Sequence, residues 1–106
     1  MRSWWQHISD PALWPNERLF FEIYGQALQG RPNATALLDD IVDSWLDVAT
    51  EINVAQGMDE QRARTVGRLG IAVTRGLLLD LLATEDRAGT TAAMEAWIAL
   101  NEAADP

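Results

Sequence analysis

Hydrophobic residues dominate one long stretch in the second half of the chain, residues 69–83. Within it only Thr74, Arg75 and Asp80 are polar, and it contains no proline. The stretch is shorter than the about 20 consecutive apolar residues that cross a bilayer, and it is longer than an ordinary strand. The pattern therefore predicts the buried central helix of an all-α domain, beginning near residue 60 and ending at residue 83 or 84.

Small residues fall into two seams along this helix when successive positions are placed about 100° apart. The first seam consists of Gly67, Gly70 and Thr74, and the second consists of Ala72, Gly76 and Ala83. Because glycine costs about 1 kcal/mol inside a helix relative to alanine, each seam indicates a closely packed neighbouring helix. We expect the second seam to pack inside the chain and the first to meet a second copy across a two-fold axis.

The same periodicity predicts three further helices and a short N-terminal helical segment. Asp10 and Pro11 start a short turn, and the first full helix covers residues 15–29, with Gly30 as its left-handed end. A second helix covers about residues 34–56 and ends at Gly57, and the last covers about residues 91–103. The predicted fold is an all-α antiparallel helical bundle of four main helices plus the N-terminal segment, residues 4–8.

Two of these helices have a distinctive distribution of side chains. Apolar residues cover more than half of the circumference of helix 15–29, whereas a surface helix needs an arc of only about 100°, so this helix is sandwiched or lines a cavity. In helix 34–56 the predicted core stripe is Leu38, Ile41, Trp45, Ala49 and Ile52, and the opposite face carries Asp39, Asp40, Asp43, Asp47 and Glu51. A di-metal carboxylate site needs Glu-x-x-His pairs that project into the bundle core, so we interpret these acids as a solvated face.

Composition excludes several classes of function. The length of 106 residues predicts a single domain, and the net charge of −8 argues against nucleic-acid binding by this chain. There is no cysteine and no lysine, which removes thiol and Schiff-base chemistry. His7 is the only histidine and lies near the N-terminus, so we expect neither an enzyme, nor a metal site, nor a cofactor. No apolar signal segment follows Arg2, and we expect a cytoplasmic protein with no membrane partner.

Four segments in register resemble the C-terminal domain of tetracycline-repressor-like (TetR/AcrR) regulators. They are RLFFEIYGQALQGRP (18–32), the helix around Trp45, RLGIAVTRGLLLDLLATEDRAG (68–89) and TAAMEAWI (91–98). The resemblance covers nearly all of the chain and implies one helical domain over residues 1–106 that binds a small effector and dimerises. The N-terminal helix-turn-helix domain of such regulators is absent from this chain, so the resemblance implies DNA binding only through that missing domain.

We expect the effector pocket to lie among the helices, lined by Phe21, Tyr24, Trp45 and Leu78. Arg75 lies between apolar neighbours on a largely buried helix and must find a partner. That partner is either a carboxylate of the chain (Glu22, Glu51, Asp80 or the C-terminus) or the polar end of an effector that is apolar or weakly anionic. The aromatic residues have an alternative role as plain core.

The sequence predicts a homodimer built by the last two helices. Its expected interface consists of Gly67, Gly70, Thr74, Leu81, Met94, Trp97 and Ile98. An alternative function is a stand-alone structural or adaptor homodimer that binds no small molecule. An enclosed cavity of a few hundred Å³ favours the effector domain, and a filled core favours the adaptor.

Overall fold

A computed structural model describes residues 2–36 and 43–104 of the chain. These residues form helices and connecting turns and no strand, which confirms the predicted all-α class. The elements in order are α1 (Arg2–Ile8), a 3-10 turn (Pro11–Leu13), α2 (Trp14–Leu28), α3 (Asp43–Ala55), α4 (Glu60–Thr84) and α5 (Arg87–Ala104). No helix within the described ranges has both the length and the apolar character that crossing a bilayer requires.

Most helix ends lie where the sequence predicts them. The Asp10 carboxylate accepts a hydrogen bond from the Ala12 backbone N–H at 3.0 Å, and Pro11 occupies the first position of the turn. The Asp59 carboxylate likewise accepts one from the Arg62 N–H at 2.9 Å at the start of α4. After α2 and α3 the chain turns at Gly30 and Gly57, whose φ angles of +78° and +102° are left-handed conformations that favour glycine.

One helix boundary differs from the prediction. Helix α5 begins at Arg87, about one turn before the expected start, because the Asp86 carboxylate accepts a hydrogen bond from the Gly89 N–H at 2.8 Å and caps the helix there. The described part of α3 covers Asp43–Ala55. The part of the predicted helix over residues 37–42, which includes Leu38, Asp39, Asp40 and Ile41, lies outside the described residues.

The chain forms two compact units. We call residues 1–18 and 74–106 the terminal unit and residues 19–73 the central unit. Helices α2 and α4 contribute residues to both units.

The core of the terminal unit forms around Trp5. This side chain is buried together with Met94 and Ile98, and partly buried residues pack against the three: Ile8, Leu77, Leu78 and Trp97. The Trp5 indole N–H donates a hydrogen bond to the Thr91 hydroxyl at 3.0 Å, which satisfies its one polar group. Helix α1 is thereby attached to α5, with the Arg2–Glu95 ion pair at 2.7 Å on the exposed edge.

In the central unit α3 packs closely on α4. A Cβ atom added at Gly67 would lie 3.1 Å from the Ala49 Cβ, so the glycine permits this close approach. The Asn53 amide donates a hydrogen bond to the Ala63 carbonyl at 3.0 Å, and Leu46 is fully buried. The docking face of α3 is therefore Leu46, Ala49 and Asn53. The predicted core stripe is displaced around the helix, since Trp45 and Ile52 are more than half exposed.

The first small-residue seam of α4, and not the second, is the one that packs inside the chain. Ala63, Gly67, Thr74 and Leu81 are buried in the single chain, so the first seam belongs largely to internal packing. The second seam is exposed at Ala72, Gly76 and Ala83. A Cβ atom added at Gly76 would meet no atom within 4 Å, so the chain itself does not require a glycine there.

Candidate functional site

Three of the predicted effector-contacting residues belong to the central unit. Phe21 and Tyr24 are half-buried on α2, and Phe20 links them by edge-to-face contacts with ring centroids 5.2 and 5.9 Å apart. Trp45 exposes 53% of its surface on α3. The α2 aromatic cluster is thus held together by its own rings and is incompletely covered.

The other two predicted effector-contacting residues belong to the terminal unit. Leu78 packs against the cluster of Trp5, Met94 and Ile98, so it is part of the core of that unit. Arg75 is half-buried on α4 and already has an interaction partner in the chain.

Most of the residues assigned to a dimer interface are covered within one chain. Thr74, Leu81, Met94 and Ile98 are buried, and Trp97 is half-buried against the core around Trp5. Gly67 contacts α3, and Gly70 is half-buried. Met94, Trp97 and Ile98 pack with Trp5 of α1, and Gly67 contacts Ala49 of α3, so these residues of the expected interface are covered by the chain itself.

Besides Trp4 on α1, the terminal unit has exposed apolar residues on other faces of α4 and α5. On α4 they are Gly76, Leu79 and Ala83, and on α5 the most exposed large side chain is Leu100, at 67%. The residue types needed for a close helix contact are therefore still presented to solvent, although on a different face from the one predicted.

A groove of about 390 Å³ lies beside α1 and the first turns of α5 in the terminal unit. Its lining residues are Gln6, Ser9, Arg87, Ala88 and Thr91. The Arg87 guanidinium donates hydrogen bonds to the Gln6 carbonyl at 3.0 Å and to the Ser9 hydroxyl at 3.4 Å. Sequence reasoning missed Arg87, although a cation in the first turn of a helix opposes the helix dipole and indicates a specific contact.

The chemistry of this groove is that of a structural clamp. The neighbour of the Ser9 hydroxyl is a guanidinium, which donates protons and cannot act as the general base that a serine nucleophile requires. Arg87 instead ties the end of α1 to the start of α5, and the Trp14 indole donates to the Ser9 carbonyl at 3.0 Å. Over residues 2–36 and 43–104, no group of three or more acids or histidines is arranged to hold a metal ion.

Glu17 lies in the first turn of α2. Among the described residues, its carboxyl group is the one whose pKa is strongly shifted. Burial raises the pKa of its carboxyl group to about 7. Its Oε2 atom is shielded from solvent and has no hydrogen-bond partner in the described part of the chain. This burial was not predictable from the sequence, because Glu17 occupies a first-turn position where an exposed acid interacts favourably with the helix dipole.

A comparison of the chain with protein-family models, curated proteins and solved structures finds no match.

Proposed function

We propose that this chain is the effector-binding and dimerisation domain of a TetR-like regulator. The sequence resemblance suggests the class, and the order of helices is compatible with it. The observation that carries the proposal is the exposed strip on α4, formed by Gly76, Leu79 and Ala83, because small and apolar residues in this arrangement suit close packing against a second helix.

The proposed dimer uses the exposed faces of α4 and α5 in the terminal unit. Gly76 and Ala83 allow backbones to approach, while Leu79 and Leu100, exposed by 51% and 67%, supply the apolar area. A two-fold axis brings the same strip of each chain against its copy.

The proposed effector contacts the half-buried aromatic cluster of α2. Phe21 and Tyr24 offer apolar ring surface, and the Tyr24 hydroxyl provides a polar group for orientation. The ligand class is a small apolar molecule, with or without a weakly anionic end.

The effector is tested by thermal denaturation with a panel of apolar amides and carboxylic acids, since a ligand of the folded state raises the melting temperature. We expect at least one compound to bind, and Phe21→Leu to weaken it at least tenfold. The matched control is Leu19→Ala, because Leu19 lies on the same helix and is 54% exposed.

Arg75→Ala tests the structural role of that arginine, because a loss of stability without any change in affinity assigns it to a structural pair. If no compound stabilises the chain, or if Phe21→Leu and Leu19→Ala have equal effects on binding, the effector site is refuted.

The second candidate function is a structural or adaptor homodimer that binds no small molecule. It is favoured by Leu78, a predicted effector-contacting residue that instead packs into the core around Trp5. The adaptor requires the same dimer, so the compound panel distinguishes the two functions.

A further inference from the structure

We draw no further inference here: the strongest candidate, the exposed apolar stripe of Trp45, Val48 and Ile52 on α3 in the central unit, carries none because nothing in the described part of the chain shows what covers it.

Discussion

Glycines at neighbouring positions of α4 serve different purposes. Gly67 is buried where a Cβ would lie 3.1 Å from the Ala49 Cβ, whereas a Cβ at Gly70 would meet no atom within 4 Å. Replacement by alanine gains helix propensity at either position, but only at Gly67 must α3 move away to make room.

We therefore expect Gly70→Ala to stabilise the chain by about 0.5–1 kcal/mol and Gly67→Ala to be at least about 1 kcal/mol less favourable than Gly70→Ala. Urea denaturation measures both free energies of unfolding. Adding Ala49→Gly to Gly67→Ala should recover part of the loss, since it removes the opposing methyl group. Equal effects of the two alanine variants would contradict the packing of α3 on α4.

Glu17 introduces a pH dependence into stability. Burial raises its pKa from 4.5 to about 7 in the folded chain, so the folded state binds the proton more tightly than the unfolded state does. Proton binding at Glu17 therefore stabilises the folded chain fully below pH 4.5, and this stabilisation is lost as the pH rises through about 7.

Glu17→Gln should accordingly be more stable than the unaltered chain at pH 8, by about 1–2 kcal/mol after allowance for the part of the side chain that reaches water. The difference should disappear near pH 4.5, where both side chains are neutral in the folded state. Denaturation curves at the two pH values provide the measurement, and Glu22→Gln on the same helix controls for the change in net charge. A difference independent of pH would mean that the carboxylate is solvated.

At the scale of single elements, Trp5 is the buried side chain through which α1 packs on α5, alongside the polar contacts of Arg2 and Arg87. Trp5 is 2% exposed among Met94 and Ile98, whereas its neighbour Trp4 is 38% exposed. Because truncation in a packed core loses burial and leaves a cavity, Trp5→Ala should cost about 3–5 kcal/mol and Trp4→Ala less than about 1 kcal/mol.

Thermal denaturation by circular dichroism compares the two alanine variants. Thr91→Val supplies a separate control for the indole hydrogen bond, with an expected cost of about 1–2 kcal/mol. If Trp4→Ala and Trp5→Ala destabilise the chain equally, α1 does not dock on α5 through Trp5.

Helix boundaries were predictable from sequence where a single residue determines them. Asp10, Gly30, Gly57 and Asp59 act through local backbone chemistry, and each lies at the predicted boundary. The start of α5 was missed because the residues around Asp86 resemble a turn, and only the bond from Gly89 to the Asp86 carboxylate shows that it caps a helix.

Which face of a helix is buried was harder to predict than where the helix lies. Periodicity identified both small-residue seams of α4 but could not rank them, because the choice depends on where α3 and α1 pack. The same reason displaced the expected stripe of α3, where Leu46 is buried and Trp45 is not. The predicted dimer interface included the first seam for this reason, although Gly67 and Thr74 are buried in the single chain.

For the whole molecule, the proposed dimer associates through the second seam of α4. Gly76 has room for a side chain within one chain, so its small size matters only if a second helix approaches closely. Gly25 on α2 offers a matched comparison: it too is exposed and helical, and a Cβ there would meet no atom within 4 Å.

Sedimentation equilibrium tests whether the chain dimerises through the second seam of α4. The samples are the unaltered chain, Gly76→Leu and Gly25→Leu. Leucine improves helix propensity at both positions, but at residue 76 it would overpack a close contact by about 1–3 kcal/mol. We expect the unaltered chain and Gly25→Leu to form dimers. The dissociation constant of the Gly76→Leu dimer should be at least tenfold higher than that of the unaltered chain. A monomeric unaltered chain, or a dimer that both variants affect equally, would contradict it.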